Sequence, residues 1–283
     1  MKFPEPDPVA VAAIVAAALS EDLGTGGDIT SNATVPADAR LHLAINARQD
    51  IVVAGMPIAV AAIKALAPDA EIEVVTSDGS RIKKGTTMAR IKGPARALLT
   101  AERTALNVVQ FLSGIATLTR EYADRIEGTG CILLDIRKTI PGLRVLSKYA
   151  TRVGGAQNHR MRLDDGVLIK DNHLVVGGGL EAVIKNAHDA GLTDVEVECD
   201  TVKQVEKALA AGADRILLDN MDARTMKSAV DLVAGRVLLE ASGGITLENI
   251  RQLAETGVDF VSTGRITQSA PGVDIGMDLI EDA

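Results

Sequence analysis

Aromatic side chains and cysteines are scarce in this sequence of 283 residues, which has no tryptophan, two tyrosines, three phenylalanines and two cysteines. Proteins that bind single-stranded nucleic acids stack the bases on aromatic side chains, so this composition disfavours that function. Cys131 and Cys199 indicate neither a disulfide framework nor a cysteine-rich metal site, and they fit a reducing compartment. We therefore expect an aliphatic core.

Long hydrophobic runs and a basic leader are also missing. The longest apolar run near the start, Val9–Leu19, has eleven residues and follows the acidic Glu5 and Asp7. It is too short to span a bilayer and lacks the basic residues of a signal peptide. The expectation is a cytoplasmic protein with no membrane partner.

The net charge of −8 disfavours a general surface for nucleic acids or anionic membranes. The charge is uneven, because the segment from Arg137 to Lys170 carries +6 and the remainder carries −14. A basic segment in an acidic protein indicates a local site for a small anion, although a solvated basic helix face would have the same composition. HExxH, CxxC, P-loop and GxGxxG motifs are absent, which disfavours zinc proteolysis, Walker-type nucleotide hydrolysis and Rossmann hydride transfer.

Hydrophobic periodicity divides the chain into two parts. Residues 1–112 mix helices with short strands such as Leu41–Ala47, and they end in a helix from about Ala95 to Leu112. The apolar stripe of that helix leaves Arg103 on a different face. Residues 113–265 alternate short apolar runs with helical stretches, in six or more βα units. The runs are Cys131–Ile136, Val167–Ile169, Val195–Val197, Arg215–Leu218, Val237–Leu239 and Phe260–Val261.

Cap residues support the helices between these runs. The side chains that suit N-caps are those of Thr201, Asp222 and Thr246. The residues that suit left-handed C-caps are Gly191, Gly212 and Gly257.

Polar residues stand at or just past the end of every apolar run in the second part. They are Arg137 and Lys138, Lys170, Glu198, Asp219, Ser242–Gly244 and Ser262–Gly264. An open α/β sheet collects its ligand groups at one switch point, whereas the strand ends of a barrel surround one mouth. We therefore predict an N-terminal α+β sandwich-like domain followed by an α/β barrel, possibly with fewer than eight strands. The tail from about 266 to 283 is expected to pack back on the first domain.

Three segments carry the candidate cations. DIRKTIPG places Arg137, which matches a carboxylate, beside Lys138, which suits a phosphate or pyrophosphate. GGAQNHRMR adds His159 and Arg160 after a glycine pair. Lys170, in GVLIKDNH, directly follows a buried strand, so it is expected to face a polar mouth. As a nucleophile it would form a Schiff base, and as a charged group it would hold a phosphate.

Two acidic residues and two glycine turns complete the predicted mouth. Glu198 and Asp219 end neighbouring strands and suit Mg²⁺, whose preferred ligands are hard oxygens, although they could instead pair with Lys170 and Lys138. The turns Ser242–Gly244 and Thr263–Arg265 expose backbone N–H groups near helix N-termini, which favours phosphate binding.

These motifs resemble those of the quinolinate phosphoribosyltransferase family. The matching segments run in order from about Ala101 to Gly264, and they are AERTALNVVQFLSGIAT, DIRKTIPGLR, KYATRVGGAQNHR, LIKDNH, EVE, LLDN, EASGGI and VDFVSTG. The resemblance implies that quinolinate and phosphoribosyl pyrophosphate give nicotinate mononucleotide, pyrophosphate and CO₂. It also implies Mg²⁺ without an organic cofactor, and a homodimer in which Arg103 reaches the partner's site.

The resemblance further implies a role for each motif residue. Arg103, Arg137, His159 and Arg160 would hold the two carboxylates of quinolinate, with Thr139 in the same substrate-binding set. Lys138, Lys170, the turn of Ser242, Gly243 and Gly244, and the turn of Thr263, Gly264 and Arg265 would hold the sugar phosphates. Glu198 and Asp219 would bind Mg²⁺ and the ribose hydroxyls. The residues expected to be catalytic are Lys138, Lys170, Glu198 and Asp219.

Two alternatives remain open from the sequence. One is a barrel enzyme in which Lys170 forms a Schiff base. The other is a paralogue of the same fold that acts on another acceptor.

Overall fold

A computed structural model of the chain describes residues 6–280. The chain forms two compact units. The first comprises Met1–Arg120, Ile140–Gly154 and Ala270–Ala283, and the second comprises Glu121–Thr139 and Gly155–Ser269. The predicted boundary between residues 112 and 113 falls inside a helix.

The helices of the described chain are α1 Pro8–Leu23, α2 Ile29–Thr34, α3 Met56–Leu66, α4 Ala95–Arg125, α5 Arg144–Gly154, α6 Asp171–Val176, α7 Leu180–Asp189, α8 Val202–Ala210, α9 Ala223–Val233, α10 Ile250–Ala254 and α11 Arg265–Gln268. The strands are β1 Arg40–Ala47, β2 Ile51–Val52, β3 Glu71–Val74, β4 Arg81–Ile82, β5 Thr87–Pro94, β6 Ile132–Leu134, β7 Val167–Ile169, β8 Val195–Cys199, β9 Arg215–Asp219, β10 Leu238–Ser242, β11 Phe260–Ser262 and β12 Ile275–Leu279. Among these, α2, α5, α6, β4 and β12 were not predicted from the sequence.

The first unit is built on an antiparallel sheet with the strand order β12-β1-β5-β3. The C-terminal strand pairs with the first strand, with Leu43 opposite Leu279 and Ala47 opposite Ile275. Aliphatic residues of α1, α3 and α4 join the sheet in one core, which includes Leu19, Ile63 and Val109. The expected aliphatic core is confirmed in this unit.

Helix α4 is longer than predicted, because it continues to Arg125 instead of ending near Leu112. Ser113 and Gly114 are weaker helix formers than alanine, but both have partners in the fold. The Ser113 hydroxyl accepts the N–H of Ala54 at 3.0 Å, and Gly114 lies against the backbone of Pro271. The apolar spacing then resumes with the buried Ile115.

The second unit is a parallel sheet of six strands in the order β6-β11-β10-β9-β8-β7, as the predicted α/β class requires. Thr201 and Asp222 cap α8 and α9, as predicted, by accepting N–H groups of Gln204 and Thr225. Helix α10 begins later than predicted, with Asn249 as its N-cap residue, and Thr246 caps the turn before it: the Thr246 hydroxyl accepts the N–H of Glu248 at 3.3 Å. The predicted glycines all have the left-handed conformation, with φ of 76° at Gly191, 84° at Gly212 and 98° at Gly257.

Strand alternation gives this sheet two different faces. Residues such as Val197, Ile216 and Ala241 are fully buried and apolar. Their neighbours along the strands, among them Glu198, Asp219 and Ser242, line a cavity instead. Because side chains two residues apart share a face, each strand contributes its alternate positions to the cavity.

Within residues 6–280, no helix is both long enough and apolar enough to cross a lipid bilayer.

We predict that Gly114→Ala destabilises the protein, although alanine favours an exposed helix. A Cβ at this position would lie 2.1 Å from the carbonyl oxygen of Pro271, so helix and neighbouring segment must move apart. The expected loss is about 1–3 kcal/mol in the free energy of unfolding, the usual cost of overpacking. Chemical denaturation measures it, with Asn107→Ala on the exposed side of the same helix as control. Equal or greater stability of Gly114→Ala would contradict the close approach.

Candidate active site

The six parallel strands surround a cavity of about 560 Å³ whose lining belongs entirely to the second unit. Ten residues singled out from the sequence line it. They are Arg137, Lys138, His159, Arg160, Lys170, Glu198, Asp219, Ser242, Gly243 and Gly244. The structure therefore brings the basic segment and the two carboxylates together at one mouth.

Five predicted residues do not line this cavity. Arg103 is an exposed residue of α4 in the first unit. Thr139 follows the cavity residues, and its N–H donates to the carbonyl of Arg137 at 3.1 Å. The other three form the turn Thr263–Arg265.

This turn supports a cavity residue. The Thr263 hydroxyl donates to the Ile245 carbonyl, and Gly264 leaves space for the side chain of Lys138. A Cβ on Gly264 would lie 3.2 Å from Cδ of that lysine. Thr267, one turn further on, donates its hydroxyl to the Lys138 carbonyl at 2.7 Å.

Asp135, a fully buried residue, ties the two arginine segments together. One carboxylate oxygen accepts the N–H of His159 at 3.0 Å, and the other accepts the side-chain amide of Asn158 at 2.5 Å. The segment containing Arg160 is thereby fixed to the end of β6, which carries Arg137. Asp135 was not predicted as a site residue, although it begins the motif DIRKTIPG.

Arg137 and Arg160 form the electrostatic centre of the cavity. Burial and the neighbouring charge of Arg137 lower the pKa of Arg160. Arg160 donates from Nη1 to the carbonyl of Gly166 at 3.1 Å. Nε of Arg137 is buried and has no hydrogen-bond partner among residues 6–280. A buried guanidinium nitrogen without a hydrogen-bond partner, beside a second cation, is costly, and an anion would compensate for it.

Lys170 contacts the carboxylate of Glu198 through Nζ. The lysine side chain is 46% exposed and the glutamate side chain 11% exposed. An exposed ion pair at the cavity mouth suits a lysine that holds an anion, because a phosphate can take the place of the carboxylate. The geometry thus supports the phosphate reading of Lys170 over the Schiff-base reading.

The turn after β10 approaches the end of β9 closely. Gly243 has φ of 80°, and a Cβ there would lie 2.3 Å from the side-chain oxygen of Asn220. Asn220 has φ of 54° and donates from Nδ2 to the carboxylate of Asp219 at 2.5 Å. Only glycine fits this contact, which places the Ser242–Gly244 backbone next to the acidic strand end.

The donor chemistry at the ends of β8 and β9 fits Mg²⁺. Glu198 and Asp219 present carboxylate oxygens to the same cavity from neighbouring strands. These are hard oxygen ligands, and magnesium sites in proteins commonly use one or two carboxylates together with substrate phosphates.

His159 and Glu240 line the cavity, and Glu196 lies against the His159 ring behind them; these three residues are called the floor of the cavity. Its Nε2 is 3.0 Å from Oε2 of Glu196, and its Nδ1 accepts the N–H of Arg160 at 2.8 Å. Burial opposes a charge on the ring, whereas the two carboxylates favour a proton on the nitrogen that faces them. Because Nδ1 accepts the N–H of Arg160, it carries no proton. The ring proton therefore lies on Nε2, which faces the carboxylates.

Sequence reasoning did not assign six of the lining residues to the site. They are Ile136, Leu168, Leu217, Asn220, Glu240 and Ser262. Strand alternation could have found Leu217 and Glu240, which precede Asp219 and Ser242 by two residues.

Comparison with known proteins gives a consistent result for both parts of the chain. Residues 115–278 match the family model "Quinolinate phosphoribosyl transferase, C-terminal domain", and residues 28–113 match the N-terminal domain model of the same family. The nicotinate-nucleotide pyrophosphorylase [carboxylating] of Mycobacterium leprae is 43% identical over 268 residues, covering 93% of this chain and 94% of its own.

Solved structures agree with these matches. The nicotinate-nucleotide pyrophosphorylase of Ehrlichia chaffeensis has a TM-score of 0.91 and 40% identity, covering 95% of this chain and 98% of that one. The enzyme of the same name from Francisella tularensis has a TM-score of 0.93 and 36% identity, covering 98% of both chains.

Proposed function

The chain belongs to the quinolinate phosphoribosyltransferase family, and from that premise we propose how its cavity carries out the family's reaction. Quinolinate and phosphoribosyl pyrophosphate give nicotinate mononucleotide, pyrophosphate and CO₂, a step of NAD biosynthesis. The chain is therefore a pentosyltransferase. Residues of the motifs that carry the sequence resemblance, among them Arg137, Lys170 and Asp219, line the cavity.

Quinolinate binds at Arg137 and Arg160 in this proposal. The observation that carries it is the buried Arg137 Nε without a hydrogen-bond partner among the described residues, beside a second guanidinium group. Two adjacent carboxylates on a planar ring match two adjacent planar cations, and each can form paired charge-assisted hydrogen bonds. Other single-charge acids would leave one cation uncompensated.

Phosphoribosyl pyrophosphate binds at the other side of the cavity. Lys138 and Lys170 provide point charges for its phosphates, and the Ser242–Gly244 turn provides backbone N–H groups. Lys170 then exchanges its contact with Glu198 for a phosphate. The turn Thr263–Arg265 acts through the position of Lys138, because Gly264 lies against the Lys138 side chain and Thr267, in the helix that follows, binds the Lys138 carbonyl.

Glu198 and Asp219 would hold Mg²⁺ together with the pyrophosphate and ribose oxygens of the donor. When bound, the ion neutralises charge that develops on the departing pyrophosphate. No organic cofactor is required in this proposal, because the pyridinium ring formed in the reaction withdraws electrons itself.

The protein residues act by position and charge. The arginines orient quinolinate so that its ring nitrogen faces C1 of the ribose, from which pyrophosphate leaves. Lys138 and Lys170 stabilise the negative charge on that leaving group. Once the nitrogen is bonded to C1, its positive charge stabilises the electron pair that remains on the adjacent ring carbon when the carboxylate departs as CO₂, and this carbon then takes a proton from water. We also propose that the reaction takes place in the cytoplasm, where the free thiols of Cys131 and Cys199 stay reduced.

The active assembly is proposed to be a homodimer in which Arg103 completes the partner's quinolinate subsite. Arg103 is exposed and lies away from the buried stripe of α4. A third cation from a second copy would add to the pair formed by Arg137 and Arg160.

The direct test is an assay of the purified protein with quinolinate, phosphoribosyl pyrophosphate and Mg²⁺. Nicotinate mononucleotide, detected by mass spectrometry, is the expected product. Removing the metal with a chelator should reduce the rate to background, and added Mg²⁺ should restore it. Absence of product would contradict the proposed function, whereas full activity after chelation would contradict only the metal site.

Substitutions at neighbouring residues should separate the two substrates. We expect Arg137→Ala to raise KM for quinolinate by about 10- to 100-fold and Lys138→Ala to raise KM for the phosphoribosyl donor similarly, as charged hydrogen bonds contribute about 1.5–3 kcal/mol each. Steady-state kinetics that vary each substrate in turn measure this. Arg224→Ala, at an exposed site on α9, serves as the control. Equal effects of both variants on both substrates would contradict the assignment.

Mixed dimers test the proposed role of Arg103. Arg103→Ala and Arg137→Ala should each be nearly inactive alone, and mixing them after dissociation should recover about a quarter of wild-type activity, because half of the dimers then have one intact site. The control is a mixture of Arg137→Ala with Lys138→Ala. In these mixed dimers one site lacks Arg137 and the other lacks Lys138, so no activity should return. Failure of the first pair to recover activity would show that Arg103 does not act across the dimer.

A further inference from the structure

The floor of the cavity holds two buried glutamates that the proposed reaction does not use. The side chain of Glu196, on β8, is 4% exposed, and that of Glu240, on β10, is 0% exposed. Both face the His159 ring, with Nε2 at 3.0 Å from Glu196 Oε2 and 3.4 Å from Glu240 Oε2. A buried carboxylate needs compensation, and here a single imidazole stands between two of them.

Part of the compensation comes from Arg215 on β9. It is the register partner of Glu196, and its charge lowers the pKa of that residue against the larger, opposite effect of burial. The Arg215 guanidinium lies 4.7 Å from the centre of the Phe260 ring. Three neighbouring strands thus contribute charged groups below the substrate cavity.

Both nitrogens of the His159 ring are occupied by protein groups. Nε2 is held by the carboxylates, and Nδ1 accepts the backbone N–H of Arg160. In this arrangement the ring offers neither nitrogen to a ligand. It connects two buried strands to the backbone of a residue that lines the quinolinate subsite.

Arg160 needs such a connection because of its neighbour. Its charge and that of Arg137 repel each other, and Arg160 belongs to a loop outside regular secondary structure. The hydrogen bonds that hold it include those from its amide to His159 Nδ1 and from its Nη1 to the Gly166 carbonyl. The first of these depends on the ring orientation that the glutamates set.

We propose that Glu196 and Glu240 are positioning residues which, through His159, hold Arg160 for quinolinate. The inference rests on the proposed function, since it assigns these residues to one of its two subsites. It predicts a defect confined to quinolinate.

The test compares Glu196→Ala, Glu196→Gln and Glu240→Ala with Glu206→Ala, an exposed control on α8. Calorimetric titration should show the Kd for quinolinate rising about tenfold in both alanine variants at the floor, equivalent to about 1.4 kcal/mol. The Kd for phosphoribosyl pyrophosphate should stay within about twofold of wild type. The glutamine variant retains an oxygen acceptor, so it should restore most of the quinolinate affinity. Weakening of both substrates to the same degree, or thermal destabilisation without any change in quinolinate affinity, would overturn the proposal.

A spectroscopic measurement on the wild-type protein keeps the proposal testable if a variant does not fold. With ¹⁵N-labelled histidine, His159, assigned from a His159→Gln variant, should show a protonated Nε2 and an unprotonated Nδ1 at pH 7. A proton on Nδ1 would contradict the contact with Arg160. Stoichiometric zinc bound by the wild-type protein and lost in Glu240→Ala would make the cluster a metal site and overturn the positioning role. If wild-type protein bound no quinolinate, the proposed function itself would be wrong.

Discussion

Repulsion between like charges is the constraint on which the rest of the second unit depends. Arg137, Arg160, Lys138 and Lys170 line one cavity, although cations at this spacing favour separation. The fold opposes that tendency with fixed backbone contacts and with nearby carboxylates. Asp135 binds the His159 amide, Thr267 binds the Lys138 carbonyl, and Glu198 contacts Lys170. These restraints hold the cations together in the cavity, where two anionic substrates can bind. The negative charges of the substrates then compensate for the repulsion among the cations.

The convergence of these cations could be predicted because it follows from short-range patterns. Each strand was recognisable from its apolar run, and parallel strands bring their carboxyl ends to one edge. The helix caps at Thr201 and Asp222 were predictable for the same reason, since each depends on residues within one turn. The start of α10 was not predicted, because the turn that Thr246 caps continues for three residues before the regular helix begins at Ile250.

Other features depend on residues far apart in the sequence. Helix α4 continues through Ser113 and Gly114 because Ala54 and Pro271 contact them. Glu196 and Glu240 could be placed on the inner face by alternation, but nothing in the loop of His159 shows that its ring lies between them. Whether Arg103 reaches a second copy depends on a neighbouring chain, and the sequence supplies only the exposed position.

The pairing of β12 with β1 has a consequence for the order in which the protein is made. Leu43 lies opposite Leu279, so the sheet of the first unit lacks an edge strand until residues 275–279 have been synthesised. The whole of the second unit is translated in the interval between these two strands. Domains that are continuous in the sequence fold in the order in which they are synthesised. Here the first unit consists of separate segments of the chain, so it begins first and is completed last. The nascent chain therefore exposes an unpaired β1 edge while the second unit is synthesised, and its protection during that time falls to the growing chain or to cellular chaperones.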